Sequence, residues 1–231
     1  MIISHRHKFI WFLPWKTASN TIFSRIGHLN QSIYPQASYF NKILGKLSSK
    51  HIDLGDFSKL PEYKLDYRKV CFIRNPYDRF YSGFLQCRKD YITEFGNDFS
   101  SKPWGSVLAK GFKNYCDFAK KKFIEGEYFF PNISNYDSVF LNEKKYVDFV
   151  GFIERFENDF ASICGRLKIK PQNQNSFHIE KTQNLCNPYL IKLLEYKYLK
   201  YYDDEMIEAV NLIFKLDFKH LGFQKIKVLK A

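Results

Sequence analysis

The sequence is short of several things, and each shortage excludes something. None of its 11 glycines forms the GxxxxGK[ST] pattern of a Walker A loop, so a standard nucleoside-triphosphate cradle is absent. No apolar run is long enough to span a bilayer. A basic cluster, His5 to Lys8, precedes an apolar run that stops at Pro14, too short for a secretory signal. The five cysteines (Cys71, Cys87, Cys116, Cys164 and Cys186) form no CxxC pair and no Cys/His ligand spacing. They read as reduced and mostly buried, in a cytoplasmic, reducing setting. His5 and His7 have no companion ligands, so they read as solvated, and no metal is expected. Internal repeats and low-complexity tracts are missing, and no shift in composition divides the chain. One domain over residues 1–231 is the expectation. Acidic residues are also scarce: 24 Asp and Glu stand against 36 Lys and Arg, a formal net charge of +12. Such a surface attracts anions, whether nucleotides, acidic glycans, nucleic acid or anionic lipid, and charge alone does not choose among them.

What is present is apolar and aromatic. Hydrophobic residues make up 45% of the chain, enough for a substantial core, and the 16 Tyr and 24 Phe suggest that some aromatics line a site. Phe9 to Leu13 reads as a fully buried strand. Pro14 breaks it, and Lys16, Thr17, Ala18, Ser19, Asn20 and Thr21 follow. Ile22, Phe23, Ile26 and Leu29 then recur at helical spacing, predicting a helix over about 19–29. A strand-turn-helix unit of this kind aims backbone N–H groups and the positive end of a helix dipole at one point, which suits a phosphate or sulfate. Lys16 adds a mobile charge, and the short polar side chains add donors. An ordinary capped helix with a solvated lysine is the competing reading.

A second unit repeats the pattern. Residues 67–73 read as a strand and are followed by Arg74-Asn75-Pro76, in which Asn75 suits an N-cap and Pro76 the first helical position. Tyr77, Phe80, Tyr81 and Phe84 predict a helix to about Lys89. Residues 30–50 read as loop and short helix, 50–54 as a short strand or strand end, and 91–105 as surface loop. One or two helices are expected over 104–124, a third strand over 146–153, and helices over 154–167, 188–199 and 203–216. Strands separated by helices indicate a parallel sheet flanked by helices, whose ligands bind beyond the carboxyl ends of the strands.

Pro14-Trp-Lys-Thr-Ala-Ser-Asn-Thr21 and Ile73-Arg-Asn-Pro-Tyr-Asp-Arg-Phe-Tyr-Ser82 resemble the two phosphate-binding motifs of the sulfotransferases. Residues 150–160 (Val-Gly-Phe-Ile-Glu-Arg-Phe-Glu-Asn-Asp-Phe), Tyr201 to Glu205 and Asp217-Phe218 extend the similarity toward the branch of carbohydrate sulfotransferases and their soluble bacterial relatives. One departure is Trp15, which separates Pro14 from Lys16 where the family has Pro directly before Lys. The resemblance implies a P-loop-like three-layer fold with a central parallel sheet. It also implies 3′-phosphoadenosine 5′-phosphosulfate as donor, residues 16–21 around its 5′-phosphosulfate, and Arg74 with Ser82 on its 3′-phosphate. By the same resemblance the acceptor would be a hydroxyl on a glycan, with Trp104 stacking on the sugar.

Sulfuryl transfer parallels phosphoryl transfer, in which charge builds on the leaving oxygen and electrostatics dominate. Lys16 is the candidate for stabilising that charge, and no metal is required. His51 is the candidate general base, with His178 as its rival. Arg79 could pair with Asp78 or Glu154, or touch the nucleotide. Two other readings stand beside this one: a small-molecule kinase, for which no glycine-bearing loop or Mg²⁺ carboxylate is evident, and a basic nucleic-acid binder, for which no motif is evident.

Overall fold

Apolar residues occupy both faces of the strand expected at 9–13 and of the last four residues, Val70–Ile73, of the strand expected at 67–73, and both stretches are buried on both sides. The computed structural model describes residues 1–35, 37–100, 104–127, 133–172 and 198–227. These fall into two compact units, one of residues 1–74 and 135–184, the other of residues 75–134 and 185–231. The first unit contains β1 (Ile2–Ser4), β2 (Phe9–Trp11), α1 (Ser19–Ile26), β3 (Tyr39–Asn41), β4 (Lys46–Ser48), α2 (Leu54–Phe57) and β5 (Arg68–Ile73). It continues with β6 (Phe140–Leu141), β7 (Lys144–Lys145), β8 (Phe149–Phe152) and α6 (Phe156–Leu167). The second contains α3 (Pro76–Phe95), α4 (Gly105–Ala109), α5 (Phe112–Ile124), α7 (Asp204–Ile213) and α8 (Lys215–His220).

The first unit's main sheet has the order β1-β2-β5-β8, with β2, β5 and β8 parallel and β1 antiparallel at the edge. Side chains alternate across it, as period two requires. Phe9, Trp11, Leu13, Val70 and Phe72 meet Ile22 and Ile26 of α1 and Phe160, Ile163 and Leu167 of α6. On the opposite face Phe12 meets Phe57 of α2, ring centroids 5.0 Å apart. The layers are therefore helix, sheet, helix, and the fold is α/β with a mostly parallel sheet. Gly151 stands opposite Phe72 in the ladder, and a Cβ there would lie 2.5 Å from the Phe72 ring. That close approach explains the glycine in the 150–160 stretch. Asp159 of the same stretch accepts the Phe152 N–H at 2.8 Å and ties the end of β8 to α6. Arg25 of α1 forks onto Glu157 of α6 at 2.6 and 2.7 Å, which fixes α1 against its neighbour.

The second unit is helical and aromatic. Tyr77, Phe80, Phe84, Tyr115, Val210 and Phe214 form its core. Tyr77 also carries polar ties, donating to Asn211 at 2.6 Å and accepting the Ile226 N–H at 2.9 Å.

Several expectations are corrected. Residues 50–54 form no strand, because Asp53 accepts the Asp56 N–H at 2.7 Å and so starts α2. Residues 30–50 hold the β3–β4 hairpin rather than a short helix. The helix after Pro76 runs to Phe95, past Lys89, since nothing before Gly96 breaks it. The helix over 19–29 ends at Ile26 and finishes as a 3₁₀ turn over Gly27–Leu29. The third strand is shorter than expected, Phe149–Phe152. Most of the helix expected over 188–199 lies outside the described residues.

Candidate functional site

Because β2 and β5 are parallel, the two turns that follow them emerge at the same edge of the sheet. The first turn is strained. Lys16 has φ 62° and Ala18 has φ 57°, both left-handed and neither a glycine. Each costs about 1–2 kcal/mol relative to the right-handed form, and strain of this kind concentrates at ligand sites. Thr17 shows what holds the turn: it is fully buried, and its hydroxyl donates to the Pro14 carbonyl at 2.7 Å. Thr17 therefore serves the turn's own geometry rather than offering a side-chain donor to a ligand.

Ala18 is the N-cap of α1 and has no side chain able to cap it. The N–H groups of Ser19, Asn20 and Thr21 precede the first intrahelical bond, from Ile22 N–H to Ala18 C=O at 2.9 Å. A helix start built this way directs backbone donors outward. Ser19 is largely buried, Thr21 half-buried and Asn20 exposed. The Asn20 side-chain oxygen accepts from the Lys50 ammonium. Burial holds the Lys50 pKa below its usual value.

Arg74 ends β5, and its guanidinium reaches the first turn, Nη1 donating to the Lys16 carbonyl at 3.2 Å. Its backbone is held by a side chain that the sequence did not single out. Asn135 Nδ2 donates to the Arg74 carbonyl at 2.8 Å, and Asn135 Oδ1 receives the Arg74 N–H at 3.4 Å. Asn135 is fully buried. No local signal marks it, because the contact joins positions 61 residues apart.

His51 lies beside the end of β2. Its Nδ1 is 2.6 Å from the Leu13 carbonyl. A carbonyl only accepts, so Nδ1 carries the proton and Nε2 the lone pair. Burial pushes the His51 pKa down to about 4. The Leu13 carbonyl opposes that shift, while the Lys50 and Lys16 charges add to it. The ring is neutral at neutral pH, with a fixed tautomer. Lys16, residues 17–21, His51 and Arg74 thus all belong to the first unit, at the carboxyl edge of its sheet.

Ser82 is on α3 in the second unit and is half-buried. Arg79 is also there, only 4% exposed; its guanidinium donates to the Ile133 carbonyl and lies 5.2 Å from the Phe214 ring centroid. These contacts give it a structural role in that unit. Trp104 packs 6.1 Å from both the Tyr115 and Phe118 rings. His178 lies outside the described residues. Among those described, no three His, Cys, Asp or Glu side chains gather as a metal-ligand set, and no helix is long and apolar enough to cross a membrane.

A family model described as the sulfotransferase family matches residues 1–224. No curated protein and no solved structure matches the chain.

Proposed function

The chain belongs to the sulfotransferase family, and from that premise we propose that it moves the sulfuryl group of 3′-phosphoadenosine 5′-phosphosulfate to a carbohydrate hydroxyl. The observation that carries the reading is the first turn. Two left-handed non-glycine residues are held there by Thr17, at an uncapped helix start, with the Arg74 guanidinium on the Lys16 carbonyl. Such an arrangement suits an anion, and the family reading supplies which one.

In this reading the N–H groups of residues 19–21 hold the 5′-phosphosulfate and Arg74 holds the 3′-phosphate, where a guanidinium can bond two oxygens at once. Ser82 is assigned to the 3′-phosphate by the family resemblance alone. The acceptor hydroxyl attacks sulfur while the bond from sulfur to the bridging phosphate oxygen breaks, and adenosine 3′,5′-bisphosphate leaves. The Lys16 ammonium stabilises the charge gathering on that leaving oxygen. His51 Nε2 takes the proton from the acceptor, with Leu13 holding the ring. The whole chain acts as one sulfotransferase domain, since the family match runs through both units. A reducing, cytoplasmic location agrees with Cys71, Cys87, Cys116 and Cys164 forming no disulfide. Burial raises the Cys71 pKa to about 12 and that of Cys164 to about 11, which keeps both poorly reactive.

Calorimetry with adenosine 3′,5′-bisphosphate and 5′-AMP tests the reading. The wild type should prefer the bisphosphate strongly, and Arg74→Ala should erase most of the preference, about 1.5–3 kcal/mol for a charge-assisted contact. Equal affinity of the wild type for the two nucleotides would overturn it.

A further inference from the structure

We propose that Asn135 is a positioning residue for nucleotide recognition, acting through Arg74 and, beyond it, the Lys16 turn. The inference rests on the sulfotransferase reading and deepens it. Its basis is a relay of three hydrogen bonds within one unit. The Asn135 amide grips both polar groups of the Arg74 backbone, at 2.8 and 3.4 Å. The Arg74 guanidinium grips the Lys16 carbonyl at 3.2 Å. Arg74 sits at the last step before the chain leaves the sheet for α3, where the β5–β8 ladder no longer fixes it: the last paired residue is Ile73. Asn135 supplies the backbone partners that the ladder stops supplying. A side-chain amide can do this because it offers one donor and one acceptor side by side. Asn135 is fully buried at the start of a 3₁₀ turn, Tyr136–Ser138, so its own position is fixed by packing.

The consequence lies in the reach of Arg74. A long guanidinium chain converts a small rotation of its peptide into a displacement of the charged fork, and a bidentate contact tolerates little displacement. Losing Asn135 releases that rotation. It also slackens the hold on the Lys16 carbonyl, in a turn whose left-handed residues need support. Asn135 therefore governs how well the protein tells a 3′-phosphorylated nucleotide from one that lacks the group, without touching the nucleotide.

The test measures the ratio of affinities for adenosine 3′,5′-bisphosphate and 5′-AMP in the wild type, Asn135→Ala, Asn135→Asp and Asp203→Ala. Asp203→Ala is the control for a merely structural change, because it removes the N-cap of α7 in the other unit. Asn135→Ala should lower the ratio roughly tenfold, the scale of losing one or two buried hydrogen bonds. Asn135→Asp keeps the side-chain shape and the acceptor but loses the Nδ2 donor, so it should lower the ratio as well. It also provides the reading should the alanine variant not fold. Asp203→Ala should lower the melting temperature and leave the ratio unchanged. A wild-type ratio in a folded Asn135 variant overturns the inference. A ratio near one in the wild type itself overturns the sulfotransferase reading instead, so the two failures are distinct.

Discussion

The chain makes two strand-turn-helix units of the same outline, and they solve the helix start in opposite ways. After β5, Asn75 accepts the Tyr77 N–H at 3.0 Å and Pro76 removes a donor, so the start of α3 is closed by its own sequence. After β2, Ala18 offers no side-chain cap, so the first N–H groups of α1 have no capping side chain. The second turn is relaxed and contributes a side chain, Arg74. The first turn is strained and contributes its backbone together with Lys16. On the proposed reading, one family of motifs would yield two kinds of anion contact: a built helix start where charge develops, and a guanidinium where charge is already present.

If that division holds, the largest losses of turnover follow damage beside the first turn. His51→Ala should lower kcat by about 10²–10⁴-fold with nucleotide affinity little changed, the usual scale for removing a general base. Lys16→Ala should lower kcat by about 10²–10³-fold, again with a smaller effect on nucleotide binding, because its charge matters most in the transition state. Steady-state turnover of the sulfate donor with a panel of sugar acceptors, set beside calorimetry, separates the two effects. A Lys16 variant that loses binding and keeps kcat would make the first turn a docking contact like the second.

The surroundings of the first turn also set a dependence on pH. The folded His51 has a pKa near 4, below the ordinary 6.5. The unfolded chain therefore takes up this proton first as pH falls. The His51 contribution is intact above pH 6.5 and is lost on acidification toward pH 4, where the folded form also protonates. At 1.36 kcal/mol per pKa unit the loss is at most about 3 kcal/mol. Denaturant unfolding of the wild type and His51→Gln between pH 7 and 4 reads it as a difference. The wild type should lose more stability over this window, and parallel curves would show that burial does not suppress protonation of this ring.

The smallest effects are conformational and of opposite sign. Ala18→Gly relieves a left-handed alanine and should raise stability by up to about 1 kcal/mol. Asn75→Ala removes a cap and should lower it by about 1 kcal/mol. Thermal unfolding of both variants reads the contrast between the turns directly, and a stabilised Asn75→Ala or a destabilised Ala18→Gly would break it.

The parts that depend on neighbours along the chain were legible in the residues alone. Continuous apolar runs marked β2 and β5, helical spacing marked α1 and α3, and the Asn75-Pro76 pair marked the start of α3, because strand burial and capping are short-range chemistry. It also placed both turns at one sheet edge, since strands joined through helices run parallel. It missed β1 and the β3–β4 hairpin, three-residue strands too short to show a period. How similar polar residues are used depends instead on packing between distant segments. Thr17 is used inside its turn, Asn20 takes Lys50, and Arg79 is buried beside Phe214, whereas Arg74 reaches the Lys16 carbonyl. His51 acquires its tautomer from Leu13, 38 residues away, and Arg74 its backbone partners from Asn135. Such pairings are set by which distant surfaces pack together, and no local pattern of residues encodes them.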